Sequence, residues 1–224
     1  IYNTDKVISC CQKFGRALLI KLQTPVVLQR DLQHQEDMSQ QLSTSISDFA
    51  LVLSIVYVLY NWYHRSVILA SVGLGIQALA ASVGVIRFAM HRPNGTPVFH
   101  AHKFLSWLAT ALGMPLVAYS FCTHYRFDTL GIITMVFSAT VVASAAFLPT
   151  KNREDLTQAA SGLAVLSILA ACLMNMNLFG VAACIVYIIS GLVIGSSGEF
   201  AGIQRVDLLH YALVIGNFLF SMAL

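Results

Sequence analysis

The sequence predicts an all-α, polytopic membrane protein: seven transmembrane helices preceded by a peripheral amphipathic N-terminal helix. Three observations carry that expectation. Apolar residues fill 57% of the 224 positions and charged residues only 10%, with a mean hydropathy of +0.74, whereas about a quarter of a soluble domain is charged. The apolar residues also come in runs near the length of roughly twenty that a helix needs to cross a bilayer, where every backbone group must be paired internally. Finally, threading those runs alternately through a membrane collects the thirteen Lys and Arg on one side, except Arg65 and Arg126.

Residues 1–45 form the peripheral part and 46–224 the transmembrane domain. Val7, Cys11, Phe14, Leu18 and Leu22 share one helical face, with Gln12, Lys13, Arg16 and Gln23 opposite, and Pro25 ends the pattern. A basic amphipathic helix of this kind lies in the membrane interface. Lys13, Arg16 and Lys21 interrupt its apolar residues, so it does not read as a signal peptide. Cys10 and Cys11, beside Lys13, are candidates for lipid modification, with two packed, unmodified thiols as the alternative. Residues 30–45, rich in Gln with Asp31, Glu36 and Asp37, read as a polar connector.

The seven spans fall at 46–63, 66–90, 103–122, 129–148, 156–174, 178–196 and 207–224. Their short linkers make sequence neighbours antiparallel neighbours in space. The charge asymmetry places the N-terminus, the Arg92 turn and the Arg205 turn on the cytoplasmic side and the C-terminus opposite. Asn94-Gly95-Thr96 has the form of a glycosylation sequon but falls on that same side with Pro97 after it, and reads as a turn. Gly191-x-x-x-Gly195, Ala109-x-x-x-Gly113, Ala139-x-x-x-Ala143 and Ala80-x-x-x-Gly84 are small-residue pairs that allow close helix packing. Pro115 breaks the backbone ladder of span three. Tyr57, Tyr60, Trp62 and Tyr63 form an interfacial aromatic belt at the outer end of span one.

Polar side chains at bilayer depth are the first functional candidates, because each costs free energy unless paired. Gln77 and Asn217 lie near the middle of spans two and seven. Either lines a solute path or makes an interhelical hydrogen bond, worth about 0.6 kcal/mol. A second group sits at the inner edge: His91, His100, His102 and His210, with Glu199 and Asp207 nearby. His102, His210 and Glu199 are expected to form a niche for a lipid headgroup or an anionic solute, and the histidines are also candidate zinc ligands. His100 and His102 stand two apart, about 200 degrees around a helix, so one helix cannot aim both at one metal. Bis-His haem ligation by His102 and His210 has no attachment motif behind it. The basic residues lack the aromatic interleaving of a nucleic-acid surface. No G-x-S-x-G or glycine-rich phosphate loop occurs, and five scattered cysteines make no disulfide framework.

Two families share features with this layout. Spans two and three, like spans six and seven, run from a small-residue helix through a polar turn into a helix that begins with a histidine. The resulting three-plus-one-plus-three order resembles that of parallel-repeat transporters such as the SWEET sugar transporters, although none of their motifs is present. The histidine-rich inner edge resembles the zinc site of seven-helix hydrolases of the adiponectin-receptor and alkaline-ceramidase type, which implies zinc-activated water. Those enzymes carry His-x-x-x-His in the last span; here His210 is followed four residues on by Val214. The sequence therefore leads to a non-enzymatic transporter of a small solute or lipid, or a subunit of a membrane assembly, with membrane lipids and other subunits as partners. A metal-dependent lipid hydrolase is the alternative.

Overall fold

The computed structural model describes residues 41–63, 65, 67–90 and 95–224. The chain divides into two units, Ile1–Gln41 and Leu42–Leu224; the amphipathic helix, Cys10 and Cys11 fall outside the described residues, as do His91 and Asn94. Five helices are long and apolar enough to cross a membrane: α1 (Gln41–Trp62), α2 (Ile68–Ala89), α3 (Pro97–His124), α5 (Thr150–Met174) and α7 (Arg205–Ala223). Two more, α4 (Asp128–Ser144) and α6 (Leu178–Ile194), are apolar but shorter. A two-residue hairpin, β1 (Glu199–Phe200) against β2 (Ile203–Gln204), leads into α7. Its turn residues Ala201 and Gly202 both have positive φ, 53° and 80°, the handedness that suits a tight hairpin.

Helices α1, α3 and α5 start at Gln41, Pro97 and Thr150, earlier than the hydropathy runs indicate, and the first two for local reasons. Residues 42–45 belong to α1 and not to a connector, because Thr44 and Ser45 are buried and Ser43, Thr44 and Ser45 hydrogen-bond to α7, β2 and α2 respectively. Helix α3 begins at Pro97, with Thr96 Oγ1 accepting from the Phe99 amide at 3.2 Å. A capping hydroxyl followed by proline at the first helical position is a strong start signal. His100 and His102 consequently stand on a regular helix.

Helix α3 is irregular at its centre, where residues Ala109–Gly113 form a π turn. Pro115 explains the irregularity: it has no N–H to offer the carbonyl four residues earlier, and its ring crowds that carbonyl. The oxygen in question, on Ala111, instead accepts from the buried Ser138 hydroxyl of α4. Helix α6 also ends in a π turn, Ser190–Ile194, closed by the Gly195 amide on the Ser190 carbonyl at 2.9 Å.

Small residues set how closely the helices approach. Gly73 of α2 faces Gly113 of α3 backbone to backbone; a Cβ on Gly113 would stand 3.0 Å from the Gly73 carbonyl oxygen, and one on Gly73 would fall closer still to that of Gly113. Gly216 of α7 lies against the Tyr187 ring of α6. The Gly191-x-x-x-Gly195 pair does not pack, since a Cβ at either position would meet nothing within 4 Å. Between the helices a core of Ile55, Leu74, Val117, Phe121, Ile168 and Phe220 is fully buried. Trp62 joins that core at 1% exposure, whereas Tyr57, Tyr60 and Tyr63 remain exposed, so the aromatic belt holds three residues and not four. At the same end of the bundle Asn177 Nδ2 donates to Tyr125 Oη and to the Ala223 carbonyl, joining the end of α3, the start of α6 and the end of α7.

Candidate functional site

The opposite end of the bundle gathers the start of α1, the end of α2, the start of α3 and the start of α7 around two buried carboxyl groups, Asp48 and Asp207, each 1% exposed. Asp207 is well supplied with donors: Ser43 Oγ at 2.6 Å and Ser47 Oγ at 3.2 Å. Thr44 Oγ1 donates to Gln204 Oε1 at 2.9 Å beside it. Asp48 is flanked by imidazoles. His210 Nδ1 lies 3.4 Å from its Oδ1 and 3.0 Å from Ser47 Oγ. Its Oδ2 has no hydrogen-bond partner within normal geometry. That oxygen and His102 Nε2 meet over Gly84, where a Cβ would stand 2.9 Å from the ring nitrogen and closer to the carboxylate. The absence of a side chain at Gly84 is what admits both groups.

Arg87 fixes the proton position on the His102 ring. Arg87 has only N–H groups to offer, and its Nη1 lies 2.8 Å from His102 Nδ1, so that nitrogen accepts and Nε2 carries the proton. The Arg87 guanidinium stacks on the rings of Phe88 and Phe99, 4.6 Å from each centroid. Ser47 Oγ, with one proton to give, lies 3.0 Å from the Thr44 carbonyl, 3.0 Å from His210 Nδ1 and 3.2 Å from Asp207 Oδ1. His102 thus turns an N–H, and not a lone pair, toward Asp48, which is poor chemistry for a metal. Among the described residues no three His, Cys, Asp or Glu side chains converge as donors for an ion. His100 is exposed and packs edge-on against Phe99, 5.5 Å between centroids. Glu199 is exposed on β1 opposite Gln204. The structure therefore brings His102 and His210 onto one carboxyl group, which belongs to Asp48 and not to Glu199. The acidic group between the two rings is the protein's own.

The second feature lies nearer the middle of the bundle. A cavity of about 690 Å³, within the range that holds a small organic ligand, opens between α2, α3, α5, α6 and α7. Both π turns form part of its wall, through Ala109, Thr110 and Gly113 and through Ser190, Gly191 and Leu192. A π turn widens a helix locally and recurs at functional sites. No charged side chain lines the cavity; its polar groups are Gln77, Thr110, Gln158, Ser161, Tyr187, Ser190 and Ser196.

Of the two amides singled out in the sequence, Asn217 pairs with Tyr187, whose hydroxyl donates to its Oδ1 at 2.7 Å. Gln77 lines the cavity, but its Oε1 is sealed away from it and has no hydrogen-bond partner. Asn217 is fully buried, with Nδ2 3.5 Å from Ser54 Oγ, and does not line the cavity. Sequence reading missed Tyr187 and Asp48. An ionisable residue two turns inside an apolar helix was the available signal for Asp48, whereas Tyr187 looks like any aromatic core residue.

Fold and site together define an all-α protein with helices able to cross a membrane, a buried polar lock at one end and an uncharged cavity near the middle. Comparisons with protein-family models, curated proteins and solved structures each found no match.

Proposed function

We propose that the chain crosses the membrane seven times, with its N-terminus and the Arg205 turn on the cytoplasmic side and its C-terminus opposite, and carries a small uncharged molecule in the cavity at Gln77. The two short helices suit this topology, since about seventeen residues still cover the hydrocarbon core, and α4 has 17. The observation that carries the reading is a cavity of about 690 Å³ with Gln77 among its lining residues and no charged side chain on its wall. A purely structural role in an assembly would instead leave both amides plugged, as Asn217 is. A metal-dependent hydrolase would need three or four ligating side chains at one point, and none converge so among the described residues.

Native mass spectrometry of the protein released from detergent tests the reading. The wild type retains one small uncharged adduct per chain, and Gln77→Met, similar in shape but without the polar amide, loses it. A wild type without an adduct, or equal retention by Gln77→Met, refutes it.

A further inference from the structure

The two buried carboxyl groups at the end of the bundle belong to one line of side chains that crosses four helices. The line starts at the exposed Ser43 of α1, whose hydroxyl lies 2.6 Å from Asp207 Oδ2 of α7; the other Asp207 oxygen lies 3.2 Å from Ser47 Oγ of α1. Ser47 Oγ is 3.0 Å from His210 Nδ1 of α7, and the same ring nitrogen is 3.4 Å from Asp48 Oδ1. Asp48 in turn meets His102 Nε2 of α3 over Gly84 of α2, and Arg87 of α2 holds the far side of that ring at 2.8 Å. No step from the exposed hydroxyl of Ser43 to Asp48 exceeds 3.4 Å.

The charges along this line do not balance. With both imidazoles neutral, the carboxylates of Asp48 and Asp207 face the single guanidinium of Arg87, which leaves one negative charge in a buried setting. Asp207 has the hydroxyls of Ser43 and Ser47 beside it. Asp48, 1% exposed, has no hydroxyl or amide donor, and its Oδ2 is sealed without a hydrogen-bond partner. A buried carboxylate short of donors takes up a proton and becomes neutral. His102 is closed to that proton, because a second N–H on its ring, at Nδ1, would point at an N–H of Arg87.

We propose that Asp48 is the binding site for one proton, reached from the end of the bundle along Ser43, Asp207, Ser47 and His210. The bound proton lies on Oδ1 and is donated to His210 Nδ1, while Oδ2 still faces the N–H of His102. His210 passes the proton from the Ser47 side to the Asp48 side through that one nitrogen, and no bond between heavy atoms changes. Uptake leaves the cluster neutral. None of these side chains lines the cavity, so the inference stands apart from the carrier reading.

Infrared difference spectroscopy of the full chain in phosphatidylcholine nanodiscs tests this, with the buffer stepped from about pH 8 to about pH 5, the interval in which buried acid–imidazole groups change charge. The readout is the carbonyl stretch of a protonated carboxyl group, recorded in sodium-free choline chloride. The wild type gains such a band; Asp48→Asn lacks it, and Asp155→Asn, which alters an exposed carboxylate, keeps it. His210→Gln keeps the band at a shifted frequency, because the group that accepts the carboxyl proton has changed. Ser47→Ala keeps it too, but the band rises more slowly after a pH jump. A wild type without the band, or a band of full size in Asp48→Asn, overturns the proposal. Where Asp48→Asn does not reach the helical content of the wild type, His210→Gln decides, and a band at the unshifted frequency there overturns it. Loss of the band on replacing choline with sodium at fixed pH makes the bound cation sodium and overturns the ligand class. An unchanged rate in Ser47→Ala overturns the route.

Discussion

Replacing Gly73 with alanine puts a methyl group against the Gly113 carbonyl oxygen, closer than the 3.0 Å limit that real Cβ atoms respect. The opposing atom is backbone in the middle of a helix, so it cannot swing aside as a side-chain tip would. Helices α2 and α3 must part, at an overpacking cost of about 1–3 kcal/mol. Alanine also favours a helix interior over glycine by about 1 kcal/mol, which blurs the result for this variant alone. Gly162→Ala removes the ambiguity: it carries the same propensity gain, and its Cβ meets nothing within 4 Å. The difference in unfolding free energy between the two variants isolates the clash, and should be about 1–3 kcal/mol with Gly73→Ala the less stable. Reversible denaturation in micelles, followed by helical circular dichroism, measures it. If the two variants differ by less than about 0.5 kcal/mol, the uncertainty of such comparisons, the backbone contact between α2 and α3 is not as described.

Tyr187→Phe strips Asn217 Oδ1 of its donor in a fully buried site and should lower stability by about 1–3 kcal/mol; the double variant Tyr187→Phe, Asn217→Leu should recover most of that, because no polar group is then left unpaired. No recovery in a denaturation cycle would show that the two residues do not act as a pair. Ser138→Ala leaves the Ala111 carbonyl without the hydroxyl it uses in place of an amide, and should cost about 1–3 kcal/mol in wild type but markedly less in a Pro115→Ala background, where residue 115 again has an N–H to give. Equal losses in the two backgrounds would sever the link between Pro115 and Ser138. For topology, single cysteines at Lys151 and Arg126 should label from opposite sides of sealed vesicles; labelling from the same side contradicts alternate crossing.

Much of the helical layout was readable because the long uncharged runs have the length and composition of membrane-crossing helices. The ends were harder. The start of α3 was hidden because Lys103 looks like the edge of an apolar run, although Thr96 followed by Pro97 marks the true boundary. Residues 42–45 resembled a connector because Ser43, Thr44 and Ser45 are hydrophilic one by one, and only the partners on α7, β2 and α2 make them interior. Gln77 and Asn217 stood out because amides at depth are costly, but sequence could not tell the one at the cavity from the one plugged beside Tyr187. Gly191-x-x-x-Gly195 shows the limit of the small-residue pattern: the same spacing serves a close helix crossing or, as here, a gap.

The most direct test of the account is an electron-microscopy map of the protein in nanodiscs prepared from its native membrane, at a resolution that shows side chains. The expected result is density for one uncharged molecule in the cavity, in contact with Gln77 and the residues around it. A cavity collapsed by closure of α5 on α6, or one that holds only lipid-free solvent, would contradict the carrier reading.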